Sequence, residues 1–587
     1  MNDHAIALRI IAYAFAASPW LACRGCFWWL RGKRLRGRRL ICLAASRGAG
    51  YYRLWIRTAE RDRIDTYLDR LELRPQTDQS VQRDWLAVVV LSDGVDDPQK
   101  VEATVRSADE ARVRAFVVTN GQALGSCETC SPSILSDPGT LSAWLLNRGV
   151  SWFVLLFAGD LVSSALKEVL LVTVAQNPTA SIIYWDEDRL DGQGRRESPW
   201  VKGAWDDLYF LVHNGLAGAA AYRTDGLSLL SGAFISSGSA ADWESELAVR
   251  SVAATRELPE PHHVPLVLSH RGGCQALTDC WPDLVRRYWP EPQAVSRRDP
   301  DRPARLSLPT PELWPRISIV IPTRDRADLL RACVSGLEKT DYAGEMEVLI
   351  ADNDSRDPET IQLFREFEAR GIRIVPCPGP FNFAAMNNGA VQQSTGSVLC
   401  LLNNDVEMIR GDWLARMVAH AIRPRIGAVG ALLLYPDRTV QHCGVAIGVG
   451  GAAGHVYRGI GVDEEGNGFT HLCTRRVSAV TAACLVISRS AFDAVGGFDT
   501  ETFAVAFNDV DLCLRLIKAG FTNVVVTEAE LIHHESKSRG DDMSRINKGR
   551  YLRELASLKA RWHTDTLADP FHSPLLWRES EEFILAL

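Results

Sequence analysis

The chain has 587 residues, 46% of them hydrophobic, which is enough for two or three domains with real cores. A formal net charge of -7 at this length excludes a general nucleic-acid binder, which would carry a basic surface. Of its fourteen cysteines, several (Cys400, Cys484, Cys513) stand in apolar runs where a thiol behaves as a small hydrophobe, so a reducing cytosol is expected.

Residues 1–50 form an apolar and basic N-terminal segment. The apolar part, Ile10 to Cys23, contains Pro19 and is shorter than the roughly 20 residues needed to cross a bilayer. Arg24, Arg31, Lys33, Arg34, Arg36, Arg38 and Arg39 follow without an acid between them, around Phe27, Trp28 and Trp29. This pattern suits a segment lying on an anionic cytoplasmic membrane surface, and equally an N-terminal helix packed on the body. A secretory signal fits less well, because only Arg9 precedes the apolar part and Asp3 offsets it. Two C-x-x-C pairs, Cys23/Cys26 and Cys127/Cys130, have zinc-ligand spacing, but they lie in unrelated parts of the chain and zinc is disfavoured. Residues 51–80 carry mixed charge at helical spacing and read as a solvated helix or linker.

A first α/β unit spans 81–290. Trp85 to Leu91 and Val113 to Thr119 are strand-like runs flanking a helical stretch, Asp97 to Ala108. Trp152 to Phe157 is a third strand running into Ala158-Gly159-Asp160, and Ser181 to Trp185 precedes Asp186, Glu187 and Asp188. These acids read as solvated turns, with cation binding as the alternative. The strand ends Ser92-Asp93-Gly94 and Thr119-Asn120-Gly121 lack features that cradle a nucleotide. Residues 291–315 hold Pro292, Pro300, Pro303, Pro309, Pro311 and Pro315 among charges, a linker composition.

The second unit, 316–565, repeats the layout, and a tail follows at 566–587. Ile317 to Ile321 is a β-branched strand ending in Pro322-Thr323-Arg324-Asp325-Arg326; Glu347 to Ala351 ends in Asp352-Asn353-Asp354-Ser355. The apolar run Val398 to Leu402 passes directly into Asn403-Asn404-Asp405. Alternating β and α at this spacing predicts a mostly parallel sheet with three polar strand ends on one edge, the edge where open α/β sheets bind ligands. A carboxylate with oxygen ligands there suits a hard divalent cation holding phosphates; a plain polar turn is the competing reading. No G-x-G-x-x-G follows the first strand, which argues against a dinucleotide oxidoreductase.

The set P-T-R-D-R (322–326), A-D-N-D-S (351–355), F-N-F-A-A-M-N-N-G-A (381–390), L-L-N-N-D-V-E (401–407), F-N-D-V-D-L-C-L-R-L (507–516) and H-H-E-S-K-S-R-G (533–540) resembles glycosyltransferase family 2. The likeness covers residues 316–560 and is nearest to bacterial members that build rhamnose-containing or other cell-surface polysaccharides. It implies an inverting enzyme of GT-A fold, with Pro322, Thr323, Arg324, Asp352, Asn387, Asn404 and Asp405 around a UDP-, dTDP- or GDP-sugar. It implies Mg²⁺ or Mn²⁺ on Asp405 and His533, with Asn403 replacing the first acid of the metal motif and His534 as the fallback ligand. Asp509 is the implied general base, while His442, His455, Thr481 and Asp511, with the Asp463 to Gly468 loop, are assigned to the acceptor; Asp511 has a structural cap as its other reading. The acceptor expected is a growing glycan, lipid-linked, at the inner face of the cytoplasmic membrane.

The first unit's W-D-E-D-R-L-D-G-Q-G-R-R (185–196), with Pro199, Lys202 and Trp205, also resembles a segment of family 2 domains. Without the nucleotide and base motifs it implies a degenerate GT-A domain. The rival functions are a nucleotidyltransferase and a non-catalytic glycan- or nucleotide-binding protein; neither needs Asp509.

Overall fold

The computed structural model describes residues 3–31, 34–70, 85–92, 96–119, 127–230, 232–235, 239–256, 259–272, 278–289, 294–296, 299, 302–534 and 547–586. Of the resembling motifs, residues 535–540 lie outside these, as do 71–84, Asp93, Gly94, Asn120 and Gly121. Helices α1 (Asp3–Ala17), α2 (Pro19–Leu30) and α3 (Arg34–Ser46) come first. The apolar segment breaks at Ser18 because Pro19 takes the first position of α2, where a missing N–H costs nothing. The solvated reading of 51–80 is corrected for its first residues, while the Arg61–Arg70 helix is largely exposed and 71–80 lie outside the described residues. Tyr51, Tyr52 and Trp55 are buried in one core with Leu576 and Leu585 of the C-terminal tail. The Tyr51 hydroxyl donates to the Leu585 carbonyl at 2.9 Å and the Trp55 indole to that of Ala586 at 2.9 Å, so the tail is fastened to the start of the chain.

Two large sheets follow. The first contains β1 (Leu86–Leu91), β2 (Arg114–Val118), β3 (Glu128–Cys130), β4 (Trp152–Phe157), β5 (Leu161–Val162), β6 (Ile182–Leu190), β7 (Arg196–Trp200), β8 (Ala220–Arg223) and β9 (His262–Arg271). A hairpin of β10 (Ala294–Ser296) and β11 (Arg305–Ser307) lies in the Pro-rich stretch. The second large sheet starts with β12 (Ile317–Thr323), β13 (Met346–Asp352), β14 (Arg373–Pro376), β15 (Val398–Leu402), β16 (Val406–Met408), β17 (Ile426–Leu434) and β18 (Val440–His442). A separate hairpin of β19 (Val445–Ile447) and β20 (Ala453–His455) interrupts it before β21 (Arg475–Val477), β22 (Cys484–Ser488) and β23 (Thr522–His533).

The orders are β3-β2-β1-β4-β8-β6-β9-β5, with β7 on β6, and β14-β13-β12-β15-β22-β17-β23-β16, with β18 on β17 and β21 on β23. Strand for strand these coincide, and the matching pairs share their parallel or antiparallel sense. The weak repeat in sequence is a complete one in topology. β1, β4, β12 and β15 are buried along their whole length, as parallel strands covered on both faces must be.

The halves are joined by directed bonds. Asn467 is buried, its amide oxygen accepting from Val201 N at 2.8 Å and its NH₂ donating to Val201 O at 2.7 Å. His213 contacts the Gly468 carbonyl at 3.0 Å, Arg476 N donates to Asp206 at 2.6 Å, and Arg189 pairs with Glu465. The Asp463 to Gly468 loop is therefore an interdomain clasp, which corrects its assignment to the acceptor.

Candidate active site

The strand ends meet as expected. Thr323 and Asp352 are register partners at the ends of β12 and β13, and Asn404 donates to Thr323 Oγ1 at 2.9 Å across from β15. Pro322 is buried and Arg324 is exposed just past the strand. Asp325 and Arg326 take left-handed backbone, φ 54° and 60°, which turns the chain sharply off the sheet. Asp325 Oδ1 then accepts from Arg356 N at 2.7 Å and Asp357 N at 2.8 Å, tying the first loop to the second. The Asp357 amide, foremost, holds the Asp325 carboxyl below its ordinary value.

His533 reaches Asp405 because β16 pairs antiparallel with β23, setting Val406 opposite His533. Its Nε2 lies 3.1 Å from Asp405 Oδ1. Gln441, on β18, controls this ring. Its NH₂ donates to the His533 carbonyl at 3.3 Å, which turns its Oε1 to the ring Nδ1 at 2.6 Å. Nδ1 then carries a proton, and Nε2 faces the carboxylate, donating to it when the ring is protonated and free to offer its lone pair to a cation when it is not. Burial would raise the Asp405 carboxyl, but the His533 hydrogen bond and charge prevail and hold it below its usual value. A ring nitrogen facing a carboxylate, with the far nitrogen held by an amide oxygen, is the donor set a divalent cation takes. Among the described residues no group of three or more His, Cys, Asp or Glu side chains gathers for a metal, so phosphate and water oxygens would complete the shell of a cation held here. The C-x-x-C zinc reading fails by the same finding; Cys127 and Cys130 instead donate to the Ala115 and Val117 carbonyls. His534 contacts Glu407 at 3.1 Å, away from Asp405's carboxylate.

Asp509 stands in the first turn of the Asn508–Lys518 helix, preceded by Phe507 at φ 62°. It accepts from Val510 N at 2.9 Å and from Ala482 N at 3.0 Å. The next residue, Ala483, accepts from Asn403 N at 2.9 Å. Thr481 N donates to His442 Nε2 at 3.5 Å. The 481–483 segment therefore touches Asp509, Asn403 and the strand of Gln441, which brings Asp405, His533 and Asp509 into one connected cluster.

Three assignments change. Asp511 is fully buried, bonded to Arg515 at 2.7 Å, Arg561 at 2.9 Å and the Trp562 indole at 2.9 Å, contacts that fit its structural reading. His442 is also fully buried and makes a 2.9 Å contact to His455 Nδ1; burial pushes its pKa well below the ordinary imidazole value, so it positions Thr481 as a neutral ring. Asn387 is fully buried in the Phe383–Gln392 helix, donating to the Phe383 carbonyl at 2.8 Å, so it is not offered to solvent as a nucleotide contact. Its neighbours do the work instead: Asn388 bonds both ways with Phe498 and Asn382 donates to Thr500, clamping the segment ahead of the base. Sequence reasoning missed Gln441 and also Glu554, whose carboxylate accepts from Val505 N and Ala506 N at 3.1 and 2.9 Å and fixes the same segment.

In the first sheet, Asp160 holds the place of Asp405, since Leu161 pairs with His270 as Val406 pairs with His533. Here Arg271 lies 3.3 Å from Asp160, putting a guanidinium where a cation would sit. Asp186 and Asp188 are buried, not solvated as expected. Asp186 meets His263 and Lys202 N; Asp188 meets His270, Arg196 and Tyr52. The first-turn acid of the matching helix, Asp242, is spent on a capping box with Ser239.

The family model described as "Glycosyl transferase family 2" matches residues 318–443. An uncharacterized protein, y4gI, of Sinorhizobium fredii is 37% identical over 76% of this chain and 50% of its own length. The O-antigen biosynthesis protein RfbC of Myxococcus xanthus is 33% identical over 70% of this chain and 32% of its own. The N-acetylglucosaminyl-diphospho-decaprenol L-rhamnosyltransferase of Mycobacterium tuberculosis is 28% identical over 40% of this chain and 79% of its own. The chain spans half or less of the length of the first two relatives. The strand ends that carry Thr323, Asp352 and Asp405 lie inside the matched region, so the second α/β unit carries a glycosyltransferase family 2 domain.

Proposed function

We propose that this chain transfers a sugar, with inversion, from a UDP-, dTDP- or GDP-sugar to a growing cell-surface glycan such as O-antigen or capsule, lipid-linked and at the inner face of the cytoplasmic membrane. The observation that carries this is the path from Asp405 through His533 and Gln441 to its chain neighbour His442, and from there through the 481–483 segment to Asp509. The names of the relatives support the class of acceptor. Thr323, Asp352 and Asp325 shape the nucleoside end of the groove. Asp509 takes the proton of the acceptor hydroxyl as its oxygen bonds to the anomeric carbon and the bond to the diphosphate breaks. A Mg²⁺ or Mn²⁺ on Asp405 and His533 would neutralise charge on the leaving diphosphate. Neither a nucleotidyltransferase nor a plain binder has use for a carboxylate at Asp509. The first α/β unit serves as a degenerate scaffold, a reading supported by Arg271 standing in for a cation.

Calorimetric titration of UDP, GDP and dTDP with Mn²⁺ tests the donor half of this reading. Metal-dependent binding of one of them, lost in Asp405→Ala and retained in Asp509→Asn, is expected. Binding indifferent to both metal and Asp405 would refute it.

A further inference from the structure

We propose that the outward face of the α1–α2 hairpin docks on an anionic lipid bilayer, seated among the headgroups without crossing. This rests on the membrane-face reading above and assigns it to residues. On α1, Leu8, Ile11 and Phe15 fall on one stripe; on α2, Trp20, Phe27 and Leu30 do the same. A helix mounted on a globular body normally turns such a stripe inward. Here the stripes face solvent: Leu8 is 68%, Trp20 66% and Leu30 85% exposed. The inward positions are small instead, with Ala14, Ala22 and Gly25 buried.

The mounting is tight. A Cβ on Gly25 would lie 3.0 Å from the Gly37 carbonyl, and one on Gly37 would lie 2.8 Å from that of Gly25, so α2 and α3 cross backbone to backbone. Ile41, Cys42, Ala44 and Ala45 of α3 then pack into the core that holds Tyr51 and the C-terminal tail. The hairpin is thus a rigid presentation of apolar side chains, and its exposed area is of the kind that marks an interaction surface.

Charge selects the partner. Arg24 lies over the Trp20 ring at 4.9 Å and Arg31 over Phe27 at 4.6 Å, placing cations at the level of the aromatic rings, where lipid phosphates meet the acyl boundary. The stretch 24–39 contains seven basic residues and no acid. Arg39 is spent on Glu581 and Glu582 of the tail, so Arg24 and Arg31 are the cations placed on this face, and a second copy docking there would set them against their like, an arrangement disfavoured by repulsion. Among the described residues no helix is long and apolar enough to span a membrane, so the contact is peripheral.

The test is flotation of the full chain with vesicles of phosphatidylcholine alone or with a third phosphatidylglycerol. We expect flotation with the anionic vesicles, weakened by salt, and a loss of about tenfold or more in partitioning for the triple variant Phe15→Asp/Trp20→Asp/Phe27→Asp. Arg24→Glu/Arg31→Glu should lower binding to anionic vesicles and leave weak neutral binding unchanged. Because these positions are exposed, both variants should keep the wild-type melting temperature and metal-dependent nucleotide binding. A wild type that stays unbound at low salt, or a triple variant that floats equally well, overturns the proposal. A concentration-dependent dimer abolished by the triple variant, without flotation, would overturn it in favour of self-association. Nucleotide binding reports separately on the transferase reading.

Discussion

At the scale of single residues, the site's chemistry depends on how one proton is held. Gln441 holds the Nδ1 proton of His533 and so turns Nε2 toward Asp405, where a cation could take it as a ligand. Replacing Gln441 by leucine keeps its volume and removes the acceptor. The expected result is a roughly 10- to 100-fold higher Mn²⁺ requirement with turnover at saturating metal largely retained; an unchanged metal requirement, measured by activity against Mn²⁺ concentration, would show that the amide does not orient the ring. The proximity of Asp405 to His533, and of Asp509 to the 481–483 segment, could be anticipated because each of these residues stands in a motif of distinctive composition. Gln441 could not, since a lone glutamine in a short strand carries no signal of its own, and its importance arises only when β18 is laid beside the end of β23. Asn387 was misplaced for the converse reason: the motif F-N-F-A-A-M-N-N-G-A holds three asparagines, and only the helix start, which makes Asn382 the N-cap, and the helical phase after it decide that Asn382 and Asn388 bond to the 498–500 segment while Asn387 points inward.

At the scale of elements, the strands that end in polar clusters were readable from their apolar runs, because strands covered on both faces have no room for alternation. β15 and its Asn403-Asn404-Asp405 end are where the spacing put them. β16 is different. It has three residues, Val406–Met408, too few for any periodic signal, yet its pairing with β23 is what carries His533 to Asp405. The acids of the first unit were misread for an electrostatic reason. A run of Asp186-Glu187-Asp188 looks solvated in sequence, but β6 is an interior strand and distant Arg196, Lys202, His263, His270 and Arg271 converge on it to neutralise the charge. The 548–562 helix shows the same limit: Glu554 and Arg561 reach Val505 and Asp511 across the fold, contacts that no local pattern signals.

At the scale of the whole molecule, two sheets of one topology are clasped through a loop from the second and a strand edge from the first. His213 sits in that clasp, stacked on Trp200 and bonded to the Gly468 carbonyl. Burial, foremost, lowers its pKa to about 3. A histidine held neutral when folded takes up a proton readily once unfolded, so stability is lost as pH falls below the ordinary value of about 6.5 and continues to fall toward 3. Unfolding in urea between pH 7 and 5 should therefore steepen with acid, and His213→Gln should reduce the proton uptake on unfolding by about one; an unchanged pH slope would show that the ring is solvated. The catalytic account makes a sharper demand on the same full chain. The measurement that tests it most directly is release of nucleoside diphosphate from a panel of UDP-, GDP- and dTDP-sugars with Mn²⁺ or Mg²⁺ and a lipid-linked glycan acceptor. The account predicts metal-dependent release from one donor, abolished by Asp405→Ala and reduced by about 10²- to 10⁴-fold in Asp509→Asn. Turnover that survives Asp509→Asn undiminished would contradict it.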